Sequence, residues 1–63
     1  MITLWFKPAE SYNKSKMIEA LKKSAHISLA DAREAVEIQR VTFEPQYRDD
    51  VSDAIYKAGG KLV

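Results

Sequence analysis

His26 is the only histidine of the chain, and Ser28 follows two residues later, so a base and a hydroxyl that could form a nucleophilic site lie close together. Nothing nearby completes it. Ala25 and Ile27 are apolar, no third residue is placed to orient the imidazole, and Ser28 has a helix-capping role to fill. A metal would need two or three further ligands of the His, Cys or carboxylate type beside His26, and the neighbouring residues supply none. We therefore expect a structural turn histidine. Asp49, Asp50 and Asp53 form the densest acidic cluster, and paired carboxylates can bind a divalent cation. They also fall where a helix should start, and acids there offset the macrodipole, so Asp49 or Asp50 is expected as the cap. Gly59-Gly60 follows a helix instead of opening one, so no glycine-rich loop cradles phosphate. No catalytic residue, metal ligand or cofactor is expected, and enzyme activity is not predicted.

Positive charge is the second candidate chemistry. Lys14, Lys16, Lys22 and Lys23, with Arg33 and Arg40, make the hairpin half of the molecule basic, although Glu19, Glu34 and Glu37 are interspersed. The bland reading is a solvated helix face. The functional reading is a surface that docks an acidic protein beside Ile18. Nucleic acid is the alternative partner for the same lysines, although a phosphate-tracking surface would normally be more one-sided and would combine aromatics with its charges. Trp5 is a separate signal. Its strand neighbours Ile2, Leu4 and Phe6 should face the core, leaving Trp5 on the open side of the sheet beside Thr42 and Val63, a candidate sheet-face interface for a weak homodimer or a partner.

These side chains must be positioned by short elements. Ile2 to Phe6 alternates like a half-buried strand that Pro8 stops, and Glu10 to Asn13 reads as a loop. From Asn13 or Lys14 the period changes: Met17, Ile18, Leu21 and Ala25 form the stripe of an amphipathic helix, with Glu19 and Lys23 spaced for a surface ion pair. Ser28 and Asp31 fit a capping box, so a second helix should begin at Leu29 and bury Leu29, Ala32, Ala35 and Val36. Arg40 to Phe43 resumes alternation, Glu44 to Arg48 is a loop, and a third helix carries Val51, Ala54, Ile55 and Ala58. Gly59 stands where a left-handed terminator belongs, and Lys61 to Val63 make a last strand. The order β-α-α-β-α-β predicts an α+β fold, a two-layer sandwich with a three-stranded sheet and three helices on one face.

Composition sets the limits. At 63 residues, 46% of them hydrophobic, the chain forms one domain, residues 1–63, and buries only roughly 60% of its unfolded surface. Without cysteine it has no disulfide staple and no thiolate site, which favours a cytoplasmic protein. Ten Lys plus Arg against nine Asp plus Glu gives a net charge of +1, too mild to compel nucleic-acid binding. No apolar stretch approaches the roughly 20 residues needed to span a bilayer, so no membrane partner is expected.

The stretch from Lys14 to Glu37 resembles, without a gap, the helical hairpin of the C-terminal domain of the bacterial ribosomal stalk protein, and Ala58-Gly59-Gly60-Lys61-Leu62-Val63 resembles that domain's ending. Specific matches are concentrated in these two segments, while the order of elements is similar over almost the whole chain. The resemblance implies a non-catalytic recognition module, because the stalk domain recruits translational GTPases through basic and apolar residues of its hairpin. Lys14, Ile18, Lys22 and Arg33 match positions of that contact surface. Glu19 stands where the family has a lysine, Ser15 where it has a small aliphatic residue, and His26 and Ser28 replace two turn glycines. Glu19 would repel an acidic partner patch that a lysine attracts. The expectation is a free-standing, stalk-type module of the kind found among phage or accessory proteins. It would act as adaptor, mimic or inhibitor, with a translation factor or another host protein as partner.

Overall fold

The computed structural model describes all 63 residues. Strand β1 (Ile2–Pro8) leads to helices α1 (Lys14–Ser24) and α2 (Leu29–Ile38), then strand β2 (Arg40–Phe43), a 3-10 turn (Pro45–Tyr47), helix α3 (Arg48–Lys57) and strand β3 (Gly60–Leu62). This is the expected α+β order. The sheet is antiparallel throughout, in the order β2-β1-β3.

The central strand β1 divides its pairing lengthwise. Ile2 to Trp5 face Phe43 to Arg40 on β2, whereas Phe6 to Pro8 face Leu62 to Gly60 on β3. The strand runs two residues past the expected end, and Pro8 does not stop it at Phe6. The reason lies in the hydrogen bonds. Val63 N–H donates to the Trp5 carbonyl at 3.0 Å and Ala9 N–H to the Gly59 carbonyl at 2.9 Å, so odd-numbered residues bond towards β3. Phe6 N–H donates the other way, to the Gln39 carbonyl at 3.0 Å. Pro8 is even-numbered, and its missing N–H would point to the side where β2 has already ended.

The core is made by Phe6, Met17, Leu21, Ala32, Val36, Val41, Phe43, Val51 and Ile55 with three further alanines. Ile2 and Leu4 face this core as expected but, like Leu62, are only partly buried at its rim. Leu29 differs more. It was expected in the buried stripe of α2 but is 39% exposed, because Ala32, Ala35 and Val36 carry the buried face and Ile27 packs against the core just ahead of the helix.

Two junctions depart from the sequence-based expectation, and two follow it. Neither Asp49 nor Asp50 caps α3: Tyr47 holds the N-cap position without a side-chain bond, and both acids lie in the first turn, where they still offset the macrodipole. The segment expected as a loop from Glu44 to Arg48 instead forms a 3-10 turn, for which Pro45 supplies a fixed φ and the Tyr47 N–H closes onto the Glu44 carbonyl at 3.0 Å. Ser28 does cap α2, its hydroxyl accepting from Asp31 N–H at 3.1 Å. At the end of α3, Gly59 has φ 87°, and a Cβ there would lie 2.4 Å from the Ser11 carbonyl oxygen, so glycine is required both as terminator and for close approach.

Candidate functional site

The hairpin positions its side chains through its caps. Asn13 accepts from Lys16 N–H at 3.0 Å and starts α1 one residue before Lys14. Lys14, Ile18 and Lys22 then recur every four residues and form one ridge of α1. Leu29, Arg33 and Glu37 form the corresponding ridge of α2. The two helices run antiparallel, and the ridges meet: Lys14 Nζ donates to Glu37 Oε1, tying the start of α1 to the end of α2. Arg33 is one turn back from Glu37 and Ile18 one turn on from Lys14, so the expected set Lys14, Ile18, Lys22 and Arg33 lies along one seam. Ile18 is partly buried against the core, and Lys22 and Arg33 are exposed.

Charge along the seam is uneven. The ion pair with Glu37 raises the Lys14 ammonium above the usual lysine range, and Lys14 in turn lowers the Glu37 carboxyl. Beside them burial raises the Tyr12 phenol, with Lys14 opposing and Glu37 reinforcing the shift. Lys14 is therefore already partnered, and the unpaired positive charge sits at Lys22 and Arg33. The spacing that suggested a Glu19–Lys23 pair does not produce one, as such exposed partners gain little over separate hydration. The sequence missed Leu29 as a seam residue, since its place in the apolar period looked like core.

His26 is placed structurally. It closes the turn between α1 and α2 at φ 55° and stacks on Tyr47 with ring centroids 4.0 Å apart. Its left-handed conformation is the one glycine adopts most readily, which fits a turn position. Of the acidic cluster, Asp53 is held by Lys57 at 2.9 Å, raising the lysine's pKa through that bond. A groove of about 450 Å³ between α1 and α3 has Lys16, Lys23, Asp50 and Asp53 on its walls and so presents both signs. No group of three or more His, Cys, Asp or Glu side chains converges on a point that could hold a metal ion.

Trp5 lies away from all of this, on the sheet face opposite the helices, and is 53% exposed. Val63 flanks it on the β3 side as expected, whereas on β2 the residue directly opposite is Arg40, and Thr42 lies two pairs further along, bonded to Thr3 through their hydroxyls at 2.8 Å.

No family model, no curated protein and no solved structure matches the chain. No helix is long and apolar enough to cross a membrane.

Proposed function

We propose that the chain is a non-catalytic protein-interaction module that docks an acidic partner on the seam of its helical hairpin. The observation that carries this reading is Leu29: a large apolar side chain exposed on the ridge of Arg33, across from a ridge that presents Ile18 and Lys22. An apolar centre flanked by unpaired cations supplies contact area together with orientation. The stalk resemblance of residues 14–37 supports the same surface and names a partner class, the translational GTPases. Glu19 lies on α1 beyond Lys22, off the seam by helical angle, so its repulsion acts from the side of the docking surface.

An NMR titration of the labelled chain with purified bacterial translational GTPases tests both parts. Shifts confined to Ile18, Lys22, Leu29 and Arg33, abolished in Leu29→Ser/Arg33→Glu with the fold intact, are the expected result. Absence of binding removes the stalk-type partner. Shifts clustered elsewhere remove the hairpin as the docking surface.

A further inference from the structure

None of the nine Asp and Glu residues lies in a strand; all are on helices, turns or loops. The strands do carry cations, and the pleat places them together. On β1 the open face bears Thr3, Trp5 and Lys7, on β2 Arg40 and Thr42, and on β3 Lys61. Lys7 stands directly opposite Lys61, and Arg40 directly opposite Trp5. Like charges facing each other across an antiparallel pair destabilise the sheet. Neither ion pair of the molecule relieves them, since both involve helix residues only. The same face offers a half-exposed indole in the middle of the cations, and the threonine hydroxyls add short polar groups beside it.

From this arrangement we infer that the open sheet face binds single-stranded nucleic acid, with a base stacked on Trp5 and phosphates held by Lys7, Arg40 and Lys61. The charge decides between occupants. A second copy of the chain would bring the same three cations against each other, whereas a polyanion neutralises them. Adjacent residues on one face of a strand are about 6.7 Å apart and neighbouring strands about 4.8 Å, so all three cations lie within about one nucleotide step of the indole. A flat sheet reaches splayed bases, not the paired edges inside a duplex, and stacking tolerates any base. The proposal concerns a surface on the far side of the sheet from the hairpin, and each reading stands or falls separately.

Trp5 is the only tryptophan, so its fluorescence reports the contact without any mutation. Titration with fluorescein-labelled ten-nucleotide oligo-dT and oligo-U at 50 mM salt should quench the indole in step with rising anisotropy. The two arms distinguish DNA from RNA as the better ligand. Three phosphate contacts give a salt slope near −2, hence roughly 20-fold weaker binding at 200 mM salt. Trp5→Ala should weaken binding roughly 5- to 150-fold and Trp5→Phe much less. Lys7→Gln/Lys61→Gln should cut the salt slope to about −0.7. Lys22→Glu/Arg33→Glu on the hairpin should weaken binding far less than Lys7→Gln/Lys61→Gln, since these side chains are on helices packed against the other face of the sheet. The proposal is overturned by absence of binding at 50 mM salt, by binding without quenching, by equal affinity for a blunt duplex, or by sedimentation showing that the wild-type face is closed in a dimer that Trp5→Lys dissociates.

Discussion

The hairpin seam and the open sheet face are both basic and partly apolar, yet they are built under opposite electrostatic rules. On the hairpin, cations are mixed with carboxylates and one of them, Lys14, is tied to Glu37, so the fold already uses part of the charge. On the sheet, Lys7 and Lys61 oppose each other and no acid shares their strands. The hairpin's charges help hold its two helices in register, while those of the sheet cost stability and are free for a ligand. Composition averages the two into a net charge of +1, which hides a face with no negative side chain.

The largest expected effect tests whether the two surfaces share one scaffold. Gly59→Ala forces a side chain into the left-handed region and against the Ser11 backbone. The loss should be about 3 kcal/mol, a fall in Tm of at least about 12 °C. Thermal melts followed by CD check this, and oligonucleotide binding and hairpin docking should disappear together as the domain unfolds. Survival of either surface above that transition would show that the two halves are independently stable.

A smaller change at the link between the surfaces should separate strain from function. Gln39 ends α2 at φ 59° and leads directly into Arg40, and the left-handed conformation costs a non-glycine residue about 1–2 kcal/mol. Gln39→Gly should recover about 1 kcal/mol after the entropy of glycine is counted, raising Tm by about 4–8 °C. Both binding activities should be unchanged, since the substitution touches neither face. An unchanged or lowered Tm would mean that the Gln39 side chain contributes packing beyond its role as terminator.

The elements of both faces were legible in the sequence because their apolar periods are clean: α1, the start of α2 and the span of β2 all follow from spacing. On the sheet face Trp5 was legible, as it alternates with core positions, whereas Lys7 was not, because the strand was expected to end at Phe6, and Arg40 was grouped with the basic hairpin. What spacing does not carry is register. That Arg40 faces Trp5 and Lys7 faces Lys61 depends on which strands pair and how far each is shifted, and those follow from the whole packing arrangement. Leu29 was misplaced for a related reason. Periodicity marks it as apolar and in phase, but alanines at 32 and 35 fill the close contact and Ile27 packs against the core from the turn. The α3 cap was misread because Pro45 organises a 3-10 turn that brings Tyr47, not an aspartate, to the N-cap.

Reversing one sheet charge sets stability against binding. Lys7→Glu turns a repulsive cross-strand pair into an attractive one, and should stabilise the domain by about 0.5 kcal/mol while weakening oligonucleotide binding. Denaturant melts and anisotropy measured on the same variant check the two signs. If stability falls instead, the Lys7–Lys61 repulsion is relieved by hydration, and the contrast between the two faces loses its energetic basis.

The smallest expected effect is one of pH. Glu37 has its folded-state pKa lowered by Lys14, so its contribution is present above the ordinary carboxylate pKa and is lost as pH falls through the lowered value. Lys14 is raised by the same bond, so its contribution is present below the ordinary lysine pKa and is lost only as pH rises through the raised value. The pair is thus whole through the neutral range and opens from the acid side, where protonated Glu37 releases a free lysine onto the seam. Side-chain NMR should place the Glu37 titration below that of an ordinary glutamate, and Lys14→Met should return it to the usual range. The sheet strands hold no carboxylate to titrate, so oligonucleotide affinity should stay level from about pH 7 to the edge of the carboxylate range. An acid-dependent rise in oligonucleotide affinity that vanishes in Lys14→Met would assign nucleic-acid binding to the hairpin and remove the distinction between the two faces.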